Sequence, residues 1–302
     1  MNNKRRLFST LLCVAALTAG LFVSGCGSDK AGGIGSVVSS VVDGGSDEKV
    51  AAKLNTLIDA TNRFNGDNAT WGQNYADSLA KLKGGFQEGA IGRQPHYDTL
   101  KDALEKSKKE GSTFKEVDTE RDNVLNILNE LVPTFKDLKA YDDSKAYMND
   151  GGAKGKELAA KYVAQVEKFD AAYAKFNDAL NKVNTEQTKK QIEKLKKDGK
   201  KGYAAAMEST LRLTTLVENV EKAPKNADKQ AVEKELNEIQ TLLKSINNDR
   251  GEVLVNSYNS VVGSVRQVLT DANENNLNEM IENFNNYIES YNNTTPDQFD
   301  SK

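Results

Sequence analysis

The sequence predicts an all-α protein, an elongated antiparallel bundle of about eight helices that follows a signal peptide and a flexible tether. From residue 48 onward, apolar residues recur at the three- and four-residue spacing of amphipathic helices. No segment alternates apolar and polar residues between hairpin turns, as a strand does. The chain has 302 residues and only four prolines, and a low proline content suits long helices.

The first segment, residues 1–25, has the pattern of a cleaved lipoprotein signal peptide. Three basic residues at positions 4–6 precede an apolar run from 7 to 23, and this order is typical of secretory signals. The run ends in a Ser-Gly-Cys triplet that resembles the lipobox of bacterial lipoproteins. This resemblance implies cleavage before Cys26 and acylation of its sulfur. The alternative is a short transmembrane anchor, for which the run is at the lower limit of length.

A lipidated Cys26 places the protein outside the cytoplasm, anchored to the bacterial membrane, because two or more acyl chains hold a protein there stably. Gly27 follows the cysteine where an aspartate commonly retains lipoproteins in the inner membrane. We therefore expect the outer membrane in a Gram-negative cell, and otherwise the outer face of the cell membrane. Cys13 leaves with the signal peptide, so the mature chain has no disulfide and no cysteine nucleophile.

Residues 26–47 comprise the lipidated cysteine and a Gly/Ser-rich segment, a composition that predicts a flexible tether with a reach of about 25 Å. Cleavage removes three basic residues from a chain with 41 basic and 44 acidic residues, so the mature net charge is about −6. An acidic domain is not expected to bind nucleic acid. The net charge also disfavours a general attraction to anionic lipid.

The helical domain is predicted to occupy residues 48–292, with glycine and proline between its helices. Gly66-Asp67 and Gly84-Gly85 are expected to end the first two helices. Ser112-Thr113 is expected to cap a later helix, which Pro133 kinks or restarts. The domain is either two stacked bundles with a break near residues 199–202 or one elongated body. Residues 293–302 are expected to fray.

The most regular apolar row steps by four and three residues, which is a heptad pattern typical of helix packing. Its members are Tyr162, Val166, Phe169, Tyr173, Phe176, Leu180 and Val183. Such a row serves packing far more often than cofactor binding, so we assign these residues to the core.

A distinctive segment, from Leu138 to Asp150, precedes this row. It contains Tyr141-Asp142-Asp143-Ser144, followed by Tyr147 and Asp150. Together with the aromatic row it resembles the YiiG-like bacterial lipoproteins, an exported all-helical family of unknown function. The resemblance covers most of the mature chain. It implies a lipid-anchored helical domain and supplies no activity or catalytic residues.

Few residues have the character of a site. The single histidine, His96, lacks the companion ligands of a zinc site and is expected to face solvent at a helix start. A Ser-His-Asp triad lacks its Gly-x-Ser-x-Gly elbow. Four residues offer oxygen ligands for Ca²⁺: Asp142, Asp143, Asn149 and Asp150. Their spacing is not that of an EF-hand loop, so we favour a solvated helix end.

Aromatic and lysine residues have packing or solvation as their first interpretation. Trp71 is expected in the core. Tyr258, Tyr287 and Tyr291 are expected to be mostly half-buried packing residues, although their many asparagine neighbours also allow a surface that contacts sugars or partners. A run of lysines is expected to be a solvated helix end, with a docking patch for an anionic partner as the alternative: Lys189, Lys190, Lys194, Lys196, Lys197, Lys200 and Lys201.

Two functions remain. The favoured one is a lipid-anchored envelope protein whose non-enzymatic helical module binds an envelope protein, a glycan or a small ligand, with no cofactor and no metal. The alternative is an exported hydrolase with an unrecognised site. The expected absence of a free cysteine from the mature chain, the single histidine and the lack of an acid–base motif favour the binding module. A solute-binding subunit of a transporter is disfavoured because such proteins usually have two α/β lobes.

Overall fold

The structure, a computed structural model, describes residues 45–92, 95–111 and 114–301, and for 45–52 and 66–74 it describes the backbone alone. These residues form helices and no strand, so the all-α prediction is confirmed. The signal peptide, Cys26, most of the tether and the predicted Ser112-Thr113 cap lie outside the described residues. Among the helices of the described ranges, none combines the length and the hydropathy that a membrane span requires.

The helices follow one another through short connections. They are α1 (Gly45–Lys83), α2 (Tyr97–Lys109), α3 (Lys115–Asp143), α4 (Tyr147–Asp150), α5 (Ala153–Lys197), α6 (Lys201–Lys222), a 3₁₀ turn (Pro224–Asn226), α7 (Lys229–Lys244), α8 (Asp249–Thr270), α9 (Glu274–Asn292) and α10 (Pro296–Asp300). The described residues thus have more helices than the predicted eight. The single-turn helices α4 and α10 are too short for hydrophobic periodicity to detect.

Local breaking signals had mixed outcomes. The end of the first long helix at Gly84-Gly85 is confirmed, and Gly85 adopts φ +104°, a conformation that favours glycine. The expected break at Gly66-Asp67 is wrong, because α1 runs through it. A restart at Pro133 is also wrong. Pro133 and Asn129, whose carbonyl loses its helical partner, are both exposed, so water can hydrate that carbonyl.

The described chain divides into two compact units, and the first comprises Lys49–Val183. Its core contains the predicted heptad row of α5, whose seven residues are all buried, so that prediction is confirmed. Phe169 and Tyr173 stack with ring centroids 5.2 Å apart. Phe64 from α1 meets both rings edge-on, which joins the two helices in one aromatic core.

The second unit begins at Asn184, inside α5, and contains α6 to α10. The sequence placed a break near 199–202, where Gly199 (φ +79°) does end α5. Helix α5 continues across the division: Val183 belongs to the core of the first unit, and Ile192 and Leu195 belong to the core of the second. In the second unit α6 packs against α7, α9 and α10, and α8 packs against α9.

The predicted fraying of residues 293–302 is wrong for the described part of that segment. Thr295 and Gln298 form a capping box that starts α10. Phe299 is 2% exposed and packs between Tyr203 and Tyr291, with both ring centroids 5.9 Å away. One apolar residue therefore anchors the segment, and one residue is too little for a periodicity argument to detect.

Candidate binding cleft

A half-open cleft of about 430 Å³ lies in the first unit, between the start of α2 and the middle of α3. Its volume falls in the range of small-molecule pockets. The lining residues come from the loop before α2, the first turn of α2 and one face of α3: Ile91, Gly92, Pro95, His96, Tyr97, Asp98, Thr99, Val132, Phe135, Lys136 and Lys139. We call this feature the cleft.

The loop side of the cleft is held by a buried serine of α1. Ser78 Oγ donates to the carbonyl oxygen of Ala90 at 2.7 Å and accepts from the backbone N–H of Gly92 at 2.9 Å. Buried polar groups that are fully paired fix their surroundings. The wall that Ile91 and Gly92 contribute is therefore attached to α1 and not free to move alone.

The floor of the cleft is apolar and continuous with the aromatic core. Val132 is buried and Ile91 and Phe135 are half-buried, so the floor offers hydrocarbon surface to a ligand. The ring of Phe135 lies 5.6 Å from that of Tyr162. Tyr97, which is 4% exposed, contacts the ring of Phe169 edge-on at 5.0 Å.

Tyr97, which lines the cleft, joins two other phenols in what we call the tyrosine cluster: Tyr75, Tyr97 and Tyr162. The hydroxyls of Tyr75 and Tyr97 are hydrogen-bonded at 2.8 Å. Burial raises the pKa of all three phenols, and the charge of Asp170 raises them further. The cluster therefore stays protonated at neutral pH and supplies hydrogen bonds rather than a phenolate base.

Asp170 is a carboxyl group near this cluster whose pKa is also raised. Burial raises its pKa to about 6, against the lowering effect of the Lys83 ammonium, and the Glu167 carboxylate raises the pKa further. Lys83 and Glu167 themselves form an ion pair at 2.7 Å. Perturbed acids occur at functional sites and in structural networks alike.

The rim of the cleft carries two lysines. Lys136 Nζ lies 3.3 Å from a carboxylate oxygen of Asp98, and Lys139 Nζ bonds both oxygens of Asp143 at 2.8 and 2.9 Å. All four side chains are more than half exposed, and exposed ion pairs are weak. An anionic group that enters the cleft can therefore compete for both lysines.

The structure confirms the prediction that His96 is an exposed residue at the start of a helix. In the structure His96 lines the cleft together with Lys136 and Lys139. The sequence analysis did not link His96 to these lysines. Among the described residues, neither His96 nor Thr99 has a hydrogen-bonded side chain. Only the packing of α2 against α3 brings these residues together, so no local motif could have revealed the cleft.

The acidic segment that suggested calcium has a structural role. One Asp150 oxygen accepts from the hydroxyl of Tyr141 and the N–H of Gly152, and the other from the N–H of Lys154. Asp150 thus caps the start of α5, while Asp143 is paired with Lys139. In the described ranges, no three His, Cys, Asp or Glu side chains are grouped to hold a metal.

The remaining candidates are resolved as follows. Tyr258, Tyr287 and Tyr291 are 1%, 0% and 3% exposed. Their assignment to packing is confirmed, but they are fully buried and not half-buried as expected. The side chain of Trp71 lies outside the described residues. The lysine run is mostly exposed and is considered below.

A second depression, of about 500 Å³, lies along α7 in the other unit. Its lining comes from one face of a single helix: Gln230, Glu233, Lys234, Asn237, Glu238 and Thr241. Side chains from one helix cannot surround a ligand, whereas the cleft has walls from three segments. We therefore take the cleft as the candidate site.

The comparisons with known proteins give one match. The family model described as "Protein of unknown function (DUF3829)" matches residues 48–301. No curated protein and no solved structure matches the chain. The matched range begins at the residue where the sequence predicts the helical domain to begin.

Proposed function

The chain belongs to the DUF3829 family of proteins of unknown function, which assigns no activity, and we propose that it is a lipid-anchored cell-envelope protein whose helical domain is a non-enzymatic binding module. The anchor is proposed from the signal peptide and lipobox that end at Cys26, and the resemblance to YiiG-like lipoproteins supports it. The binding role is proposed from the cleft.

The observation that carries the binding role is the combination of an apolar floor with a cationic rim. Val132 and Phe135 of α3 present hydrocarbon surface. Lys136 is the next residue of the same helix, and Lys139 lies about one turn further along it. Such a surface suits a small molecule with an apolar body and an anionic group. The body removes apolar area from water, and the anion forms charge-assisted hydrogen bonds with the lysines.

One observation favours the alternative, an exported hydrolase: His96, Asp98 and Thr99 all line the cleft. A hydrolase of this kind needs its base in hydrogen-bond reach of its nucleophile. His96 and Thr99 are not hydrogen-bonded to each other, so we place binding before catalysis. Hydrolysis of a panel of ester substrates, abolished by His96→Ala, would reverse this order.

The anchor is tested by mass spectrometry of the protein extracted from its native membrane. A first residue at Cys26 with the added mass of lipid is expected, and Cys26→Ser is expected to remain unprocessed or soluble. A Cys26→Ser protein that stays in the membrane at mature size contradicts the anchor.

The cleft is tested by fluorescence titration with two probes of similar shape, anilinonaphthalene sulfonate, which is anionic, and phenylnaphthylamine, which is neutral. The double variant Lys136→Gln, Lys139→Gln is expected to weaken binding of the anionic probe by at least about tenfold and to change binding of the neutral probe little. The matched control is Lys106→Gln, Lys109→Gln, which changes two exposed lysines of α2. Equal losses in both variants contradict the proposal.

A further inference from the structure

The second unit carries a concentrated positive charge at the junction of α5 and α6. Residues 189–201 contain seven lysines and two acidic residues, in a chain that is acidic overall. We call the exposed lysines of this segment the lysine surface. They lie on the C-terminal end of α5 and on the turn that Gly199 makes into α6.

The backbone and core of the second unit determine which way this surface faces. Ile192 and Leu195 are 4% and 3% exposed and belong to the core of the unit. The lysines between and beside them are therefore left on the outer side of α5. Lys190 and Lys197 are seven residues apart, which is about two helical turns, so they lie on one face.

Part of this charge is already paired. Lys196 lies 2.9 Å from Glu208 of α6 and 3.5 Å from Glu193, and Lys200 lies 3.9 Å from Asp297. Within residues 189–201, the exposed lysines that form no ion pair in the described part of the chain are Lys189, Lys190, Lys197 and Lys201. Four cations are thus available to an external anion.

Helix stability accounts for only some of these lysines. Cations in the last turn of a helix interact favourably with its dipole, and the effect fades beyond that turn. This explains Lys194, Lys196 and Lys197, which lie in the last turn of α5. It does not explain Lys189 and Lys190, which lie about two turns earlier, or Lys201, which begins the next helix.

We propose that the lysine surface docks on the anionic headgroups of the bilayer that carries the lipid anchor. This inference rests on the anchor proposed above, because the predicted tether keeps the start of the helical domain within about 70 Å of that bilayer. Each lysine near an anionic membrane adds its own contribution to the attraction, and this attraction fades within a Debye length of the surface. The tether supplies a high local concentration of lipid, so a modest attraction suffices.

The test uses a chain that begins at residue 27, which keeps every described helix and has no anchor cysteine. Its flotation is measured with vesicles of phosphatidylcholine alone and with vesicles rich in phosphatidylglycerol. We expect association with the anionic vesicles only, and its loss at high salt. The variant with Lys189, Lys190, Lys197 and Lys201 all changed to Gln is expected to bind at least about tenfold more weakly.

The control separates local charge from net charge. It changes four exposed lysines of the first unit to Gln, and so alters the net charge equally: Lys106, Lys109, Lys161 and Lys175. A control that loses as much binding as the test variant overturns the proposal, as does an unmodified chain that ignores anionic vesicles. Binding to an acidic polypeptide such as polyglutamate, without binding to vesicles, overturns the assignment to lipid.

The two proposals fail separately. Circular dichroism confirms that each variant is helical before its flotation is interpreted. Flotation of the chain without its cysteine reports on the headgroups alone, whereas the mass of the native protein reports on the anchor alone. If the protein binds anionic vesicles but carries no covalent lipid, the lysine surface is supported as a membrane contact and the anchor is refuted.

Discussion

Gly202 and Phe299 meet so closely that no side chain fits between them. A Cβ placed on Gly202 would lie 2.0 Å from the carbonyl oxygen of Phe299. In the same contact, the carboxylate of Asp300 accepts a hydrogen bond from the N–H of Gly202 at 2.6 Å. The last helix thus caps the start of α6, one of the central helices of its unit.

The substitution Gly202→Ala is therefore expected to destabilise the second unit by about 1–3 kcal/mol, because the added methyl group meets backbone that cannot rotate away. The control is Gly263→Ala in α8, where an added Cβ has no neighbour within 4 Å. There the gain in helix propensity is expected to stabilise by up to about 1 kcal/mol. Urea unfolding followed by circular dichroism measures both, and the same sign of change in both would contradict the contact.

Phe299→Ala is expected to lower the free energy of unfolding by roughly 3 kcal/mol, since it removes a buried ring. Met148→Ala, at a side chain that is 75% exposed, is the control and is expected to have little effect. If hydrogen exchange showed the amides of residues 297–300 to be unprotected in the unmodified protein, the tail would be frayed and this prediction would fail.

The raised pKa of Asp170 predicts a pH dependence of stability. The folded-state pKa of about 6 exceeds the ordinary value of 3.8, so the folded protein binds more protons between these values. The stability that this group contributes is present below pH 4 and is lost as the pH rises through 6. Asp170→Asn is therefore expected to stabilise the protein at pH 7 by at most about 3 kcal/mol, and not at pH 4.

Thermal melts at the two pH values measure this difference. Asp178→Asn, which changes an exposed aspartate of the same helix, is the matched control. An Asp170→Asn variant that melts at the unmodified temperature at pH 7 would show that the carboxylate is better solvated than its burial indicates.

Asp150 predicts the opposite dependence. The hydroxyl of Tyr141 and the N–H groups of Lys154 and Gly152 hold the pKa of its carboxyl below 3.8. The stabilisation is present above that value and is lost as the pH falls through the folded-state pKa. Asp150→Asn is expected to melt lower at pH 7 and to approach the unmodified protein in acid. Melting curves against pH measure this, and equal effects of Asp143→Asn would deny Asp150 a special role.

The sequence predicted the helices well because their apolar spacing is a local signal, as the buried row from Tyr162 to Val183 shows. It failed at Gly66 and Pro133, where a long helix continues through a residue that disfavours it. The cleft could not be predicted, because His96 and Lys136 come together only when α2 packs on α3. Asp150 was recognised as distinctive, but its role depends on a hydroxyl nine residues away.

The most direct test of the account is native mass spectrometry of the protein purified from its own membrane, compared with the Lys136→Gln, Lys139→Gln variant. The account predicts a non-covalent small molecule with an anionic group on the unmodified protein and its loss from the variant. A molecule that the variant retains equally, or an unmodified protein that carries none and binds no anionic probe, would contradict the claim that the cleft is a binding site.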